Sequence, residues 1–348
     1  MPRDADQVHE VEEVQVNSDV RDGATRVGAR DGTAALVPAS EEGRNALPVA
    51  MKESDYPALF ISTDAAAKVA QTIQTRLVRL EIMLTLLAGL IGALKSVLPN
   101  QVAGIGIGGI TTITAVLLFA AALLISSTRA TQRYDKRWAD SRAAAETVKT
   151  LTWQYMMRVA PYDGSVAEAN RQFLSDAKEA MHGGKYVERR TTALPEGAQV
   201  VTPSMLDLRG QALRTRRDVY VRDRVREQYR WYCRKAAINE RSSQLWFFAG
   251  MLAKTVALVG TVLASTTSHS SAFIAAAAAL ATAVIAMAQT GRYDELAHSY
   301  GAAGENLQLL EPLFGDETVN DEDSLSTYVG KAEGILSKEY ADWQAKQA

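Results

Sequence analysis

The sequence predicts an all-α membrane protein with two transmembrane helical hairpins and long cytoplasmic helices. Three observations predict it: four apolar segments that come in two pairs, basic residues flanking each pair, and a second half that echoes the first. The averages of the 348-residue chain hide this, because 47% apolar residues, 22% charged residues and a net charge of −2 are ordinary for a soluble protein. Those averages do exclude a collagen-like or wholly disordered chain. A single cysteine, Cys233, excludes an internal disulfide, and four histidines leave few zinc ligands.

Residues 1–55 carry 12 acidic and 6 basic side chains without a sustained apolar period, and are expected to be disordered. They lack the basic start and apolar core of a secretory signal, and their acids argue against a transit peptide. Residues 56–162 form the first hairpin unit, with spans at about 82–98 and 105–127. Lys95 is the one charge in Ile82–Leu98, Val102–Thr128 has none, and Pro99-Asn100-Gln101 marks the turn. Residues 163–204 form a cytoplasmic linker with a helix over Ser165–Met181, then Gly183-Gly184 and a loop around Pro195 and Gly197. Residues 205–348 form the second unit, with spans at about 245–265 and 272–290 around a turn at Thr266–Ser271. It ends in an acidic helix over Asp321–Gln347. The competing reading is a soluble four-helix bundle, which needs a polar face on each helix. Ala272–Ala288 offers only Thr282.

Lysine and arginine set the orientation. Lys68, Arg76 and Arg79 precede the first span, and Arg129, Arg133, Lys136 and Arg137 follow the second. Arg230, Arg234, Lys235 and Arg241 precede the third, and Arg292 follows the fourth. Neither hairpin turn carries Lys or Arg, so both termini are expected in the cytoplasm.

Arg133-Tyr134-Asp135 follows the second span and Arg292-Tyr293-Asp294 follows the fourth, at an offset of 159. The same offset pairs Ala143-Ala144 with Ala302-Ala303 and Glu146 with Glu305, which reads as a duplication. No Pro or Gly lies between Arg129 and Val159, so the second span is expected to continue as one rod, ended by Pro161-Tyr162-Asp163-Gly164. Trp138, Ala145, Thr152 and Val159, with Tyr134, Ser141, Val148 and Tyr155, recur every seven residues. They are either a coiled-coil seam between copies or one helix packed within its own subunit. Residues 205–241 carry a net +6 and residues 292–348 a net −8, so basic stem and acidic tail are expected to pack together in the cytoplasm.

The chemistry of an enzyme is missing. Gly104-Ile105-Gly106-Ile107-Gly108-Gly109 has the letters of a dinucleotide fingerprint, but a turn precedes it and the next acid is Asp135. Gly104 with Gly108, Gly89 with Ala93, and Ala275 with Ala279 instead read as small-residue pairs for close helix packing. His9, His182, His269 and His298 have no ligand spacing, and Cys233 has no catalytic partner in view. No catalytic residue, cofactor site or metal site is therefore expected. Six arginines between Arg214 and Arg226 lie near Tyr220 and Tyr229; beside a membrane they are read as contacts to anionic lipid or to the protein itself, with a nucleotide the lesser alternative and no nucleic acid expected. Lys254, tenth in its segment, is the candidate pore-lining residue, unless it snorkels from a span that begins later.

The arrangement resembles the SLATT superfamily, two-transmembrane effector domains associated with SMODS and SLOG proteins. The resemblance rests on Arg133-Tyr134-Asp135, Trp138, Ala145-Glu146, Lys149 and Trp153; on Tyr229-Arg230-Trp231-Tyr232, Lys235-Ala236 and Asn239; and on Glu333, Ile335, Glu339 and Trp343. It covers about Tyr56 to the end and suggests two units in tandem. Leu296-Ala297-His298 lacks the tryptophan that the first half has at Trp138. The resemblance implies a multi-pass effector of the inner membrane in a bacterial conflict or anti-phage system. Such an effector would oligomerise in the lipid bilayer and form a pore or perturb the membrane, on a signal from a nucleotide-sensing or nucleotide-producing partner. The rival reading is a non-conducting anchor or scaffold that recruits cytoplasmic partners.

Overall fold

In a computed structural model the described residues are 48–94, 101–102, 105–182, 198–264, 270–315 and 317–347. The disorder expected of 1–47, the hairpin-tip residues Lys95, Pro99 and Gly104, the loop at 183–197 and most of the turn at Thr266–Ser271 lie outside them. Residues 48–55, expected to be disordered, are docked. The Met51 amide donates to the Asp223 carboxylate at 3.1 Å, and the Thr202 hydroxyl donates to the Asp55 carbonyl at 2.7 Å. Isolated polar anchors of this kind leave no apolar period in the sequence.

Each unit is a long helix with a broken antiparallel partner. In the first, α1 (Ala58–Leu94) has 37 residues and is ~55 Å long at 1.5 Å per residue. It reaches a tip where β1 (Gln101–Val102) pairs antiparallel with β2 (Ile105–Gly106). The chain returns as α2 (Ile107–Gln132) and α3 (Tyr134–Met157), both packed on α1. In the second, α7 (Glu227–Ala264) has 38 residues, and α8 (Ser270–Gly291) and α9 (Tyr293–Leu310) return along it. Between the units lie α4 (Val166–His182), which buries Ala169, Phe173, Ala177 and Met181 on α3, then α5 (Pro203–Gly210) and α6 (Leu213–Tyr220). The stem joins α7 through a π-helical turn, Val221–Arg226. The C-terminal helix α10 (Glu322–Gln347) packs on α3 and α9.

The rod expected from the second span is broken. Although no Pro or Gly interrupts it, Arg133 adopts φ 48° and separates α2 from α3. Arg292, its counterpart, adopts φ 45° and separates α8 from α9. This left-handed backbone costs a side-chain residue ~1–2 kcal/mol, so tertiary contacts must hold it. In the first unit Arg142 Nη1 meets Asp64 Oδ1 of α1 at 2.7 Å, which draws α3 onto the lower half of α1. The motif then has a physical reading. Its Arg makes the break, its Tyr begins the next helix, and its exposed Asp lies in that helix's first turn, where negative charge suits the dipole. Just before the second break, a side chain at Gly291 would come within 2.1 Å of the Tyr293 ring, so glycine lets that ring fold back.

The seven-residue rows on α3 face inward. Ala145, Val148, Thr152 and Tyr155 are fully buried within the chain, so the seam serves the subunit's own packing rather than a coiled coil between copies.

Candidate functional site

Three stretches of near-continuous helix, Gly108–Met157, Leu213–Val262 and Ile274–Phe314, are long and apolar enough to cross a membrane. Only 11%, 6% and 0% of their most apolar windows is buried inside the chain, so these helices have no protein cover that would suit them to water. The upper half of α1, where the first span is expected, is not among these three, and residues 95–98 of that span lie outside the described residues.

The four helices form an open row rather than a closed bundle. α2 packs on α1, α1 on α8, and α8 on α7. Among the described residues no substantial contact joins α2 to α8, α1 to α7, or α2 to α7. Among the described residues these helices therefore enclose no channel. At the foot of the row Arg129 of α2 and Glu81 of α1 form a half-buried ion pair.

The structure divides the expected small-residue pairs. Gly89 and Ala279 meet each other across the α1–α8 contact, where a Cβ at Gly89 would lie 3.4 Å from the Ala279 Cβ. Ala93 is buried, whereas Ala275 is exposed. Gly108 is half-buried in the first turn of α2, which begins at Ile107, and Gly104 lies outside the described residues. Lys254 points away from the row's interior. Its neighbour Ala253 is buried, while Lys254 is exposed and has no ion-pair partner among the described residues. It stands 13 residues beyond Arg241, which is ~20 Å along the helix.

The cytoplasmic halves meet in a buried ionic junction. Arg224, on the π turn, donates from Nε and Nη2 to the Glu333 carboxylate of α10 at 3.0 and 2.7 Å, and both side chains are 1% exposed. Tyr220 donates its hydroxyl proton to Glu333 at 3.0 Å, and Thr150 of α3 donates to it at 2.8 Å. Burial alone would lower the Arg224 pKa, but the Glu333 charge and its hydrogen bonds outweigh that and raise it. Beside it, burial and the nearby Arg224 lower the Lys149 pKa, and the ammonium lies 5.8 Å from the Tyr56 and Phe60 ring centres. Trp153 fills the adjoining core, edge-on to Tyr56 at 6.4 Å and to Tyr220 at 5.6 Å. A π turn costs regular helical bonding and often marks a functional position; here it belongs to the segment that places Arg224.

Basic stem and acidic tail do pack together. Arg216 pairs with Glu322, Arg224 with Glu333, and Arg226 with Glu311 at 2.6 Å. The arginine-rich stretch is therefore engaged mostly within the protein, with Arg216, Arg217 and Arg224 buried. A cavity of about 600 Å³ beside the π turn is lined by Asp218, Arg222, Arg226 and Glu311, and its two arginines already pair with acids. Several residues that carried the resemblance, Glu146, Lys149, Trp153 and Glu333, converge here from both units. Glu305, the counterpart of Glu146, is exposed on α9. Arg224 had no sequence signal separating it from its neighbouring arginines.

Glu146 gives the junction an acid limit. Burial alone would raise its pKa, but Arg142, Lys149 and Arg224 hold it below 4.5. A carboxyl depressed in the folded state adds stability above its unfolded value, and that stability is lost as pH falls through the folded value. The melting temperature of the detergent-solubilised protein should drop as pH falls below about 4.5. Glu146→Gln should flatten that part of the curve, and an unchanged slope would contradict the assignment.

Two family models match the chain. Residues 57–217 match SMODS and SLOG-associating 2TM effector domain 3, and residues 220–343 match SMODS and SLOG-associating 2TM effector domain 1. The first match runs on through α4 and α5, which pack on α3, and the second begins at Tyr220, beside the π turn. Neither a curated protein nor a solved structure matches the chain.

Proposed function

We propose that this chain, which belongs to the SLATT superfamily and carries two of its two-transmembrane effector domains in tandem, breaches the cytoplasmic membrane as a homo-oligomer. SLATT domains are effectors of bacterial conflict systems. The tandem pair sits multi-pass in the inner membrane with both termini in the cytoplasm. Its trigger is a partner that senses or makes a nucleotide, acting on the cytoplasmic helices rather than on the spans.

The observation that carries the reading is Lys254. A charge ~14 Å into a span is costly in lipid and faces water or protein in nearly all known cases. The chain offers no interior for it, because the row is open and Lys254 is on its outside. Several rows assembled around an aqueous path would hydrate it. A scaffold that never conducts has no use for such a charge.

Purified protein in liposomes should therefore leak a trapped dye or carry current. Lys254→Leu should insert equally well and leak much less. Absence of leakage at every potential and with every nucleotide tested would favour the scaffold reading.

A further inference from the structure

The row leaves two unpaired edges, α2 and α7, and the tandem repeat relates them. The repeat carries α1 onto α7 and α2 onto α8, with Arg133 falling on Arg292. Within the chain the two units meet through α1 of the first and α8 of the second. The same step taken again from the second unit sets α7 against the next available counterpart of α8. That counterpart is an α2, and only another copy presents one with its edge free.

The exposed residues fit this step. The 159 offset carries Ala276, Ala279, Ala283 and Ala286 of α8 onto Leu117, Ala120, Leu124 and Ser127 of α2, and these four are all exposed. On α7, Phe247, Met251 and Leu258 are exposed, about 120–160° around the helix from the buried Ala253. The internal contact pairs Gly89 with an alanine; the free edges offer exposed apolar side chains to one another. Lys254 follows the buried Ala253 by ~100° around the helix, at the margin of this edge. A symmetric α7–α7 contact would bring two Lys254 ammonium groups together at one depth in a low-dielectric medium, which is strongly unfavourable. A head-to-tail contact sets each Lys254 against an uncharged α2.

We propose that a second copy of this chain seats its α2 edge on the α7 edge of the first, head to tail, so that successive open rows close into a ring with Lys254 beside each seam. Head-to-tail contacts form closed rings when the rotation per step permits. The proposal rests on the pore reading above and names the surface that builds it.

Disulfide trapping in membranes tests it. In a Cys233→Ser background, Leu117→Cys and Met251→Cys are introduced singly and together, then oxidised with copper-phenanthroline. The double variant should give a ladder of linked chains ending at one ring size. Each single variant should stay monomeric, and a mixture of the two singles should give dimers only. A second pair, Leu124→Cys with Phe247→Cys, covers the case in which the first pair disturbs folding. Dimers from Met251→Cys alone would overturn the proposal in favour of a symmetric contact. Monomers from both double variants, in liposomes that still leak, would also overturn it while leaving the pore reading intact. A ladder from protein that does not conduct would support the seam and sink the pore.

Discussion

Glu333→Ala should destabilise the protein by about 3–5 kcal/mol, because it leaves a buried, uncompensated arginine. Glu333 accepts hydrogen bonds from Arg224, Tyr220 and Thr150, and neither it nor Arg224 is more than 1% exposed. Without the carboxylate, Arg224 keeps its charge and has no acid in contact with it at the junction's centre. The loss should appear as a fall in melting temperature in detergent, with α10 becoming the first segment to exchange its amide hydrogens. A control separates charge from packing. Replacing a buried pair with well-packed apolar side chains is often neutral or better, so Arg224→Met combined with Glu333→Leu should recover most of the loss. A double variant no more stable than Glu333→Ala would mean that the helix contact, rather than the unpaired charge, dominates.

Trp153→Ala should cost a similar amount, about 3–5 kcal/mol, through the cavity it opens. Trp153 is fully buried and touches rings from the entry segment (Tyr56) and from the second unit's stem (Tyr220). Its loss should therefore loosen both attachments to α3 at once, while the hairpins remain in the membrane. Trp153→Phe keeps most of the apolar volume and should cost clearly less. Chemical denaturation followed by far-UV circular dichroism in detergent measures both. Equal stability of Trp153→Ala and wild type would contradict the placement of this core.

Three of the spans and the repeat were legible because hydropathy and motif spacing are one-dimensional signals. An apolar segment such as Ala272–Ala288 declares its solvent whatever its neighbours are. The break at Arg133 was not legible. Left-handed backbone in a sequence normally shows as glycine or asparagine, and here contacts such as Asp64–Arg142 hold an arginine in it. The order α2, α1, α8, α7 was also hidden, since hydropathy says nothing about which lipid-facing helix lies beside which. Small residues narrowed the choice without deciding it: Gly89 and Ala279 were both singled out, but as members of separate pairs rather than as each other's partner. The attraction of stem and tail was visible in their opposite charge. That Glu333 is the acid at its buried centre depends on a π turn and the α10 register, neither of which has a sequence signature.

The row, the ring and the pore all require that lipid tails solvate the four apolar helices. Alkaline carbonate extraction of expressing cells, followed by ultracentrifugation, tests this requirement. The chain should stay in the membrane pellet and enter solution only with detergent. A monodisperse protein in detergent-free buffer, with no partition into vesicles, would contradict it, and with it the row, the ring and the pore.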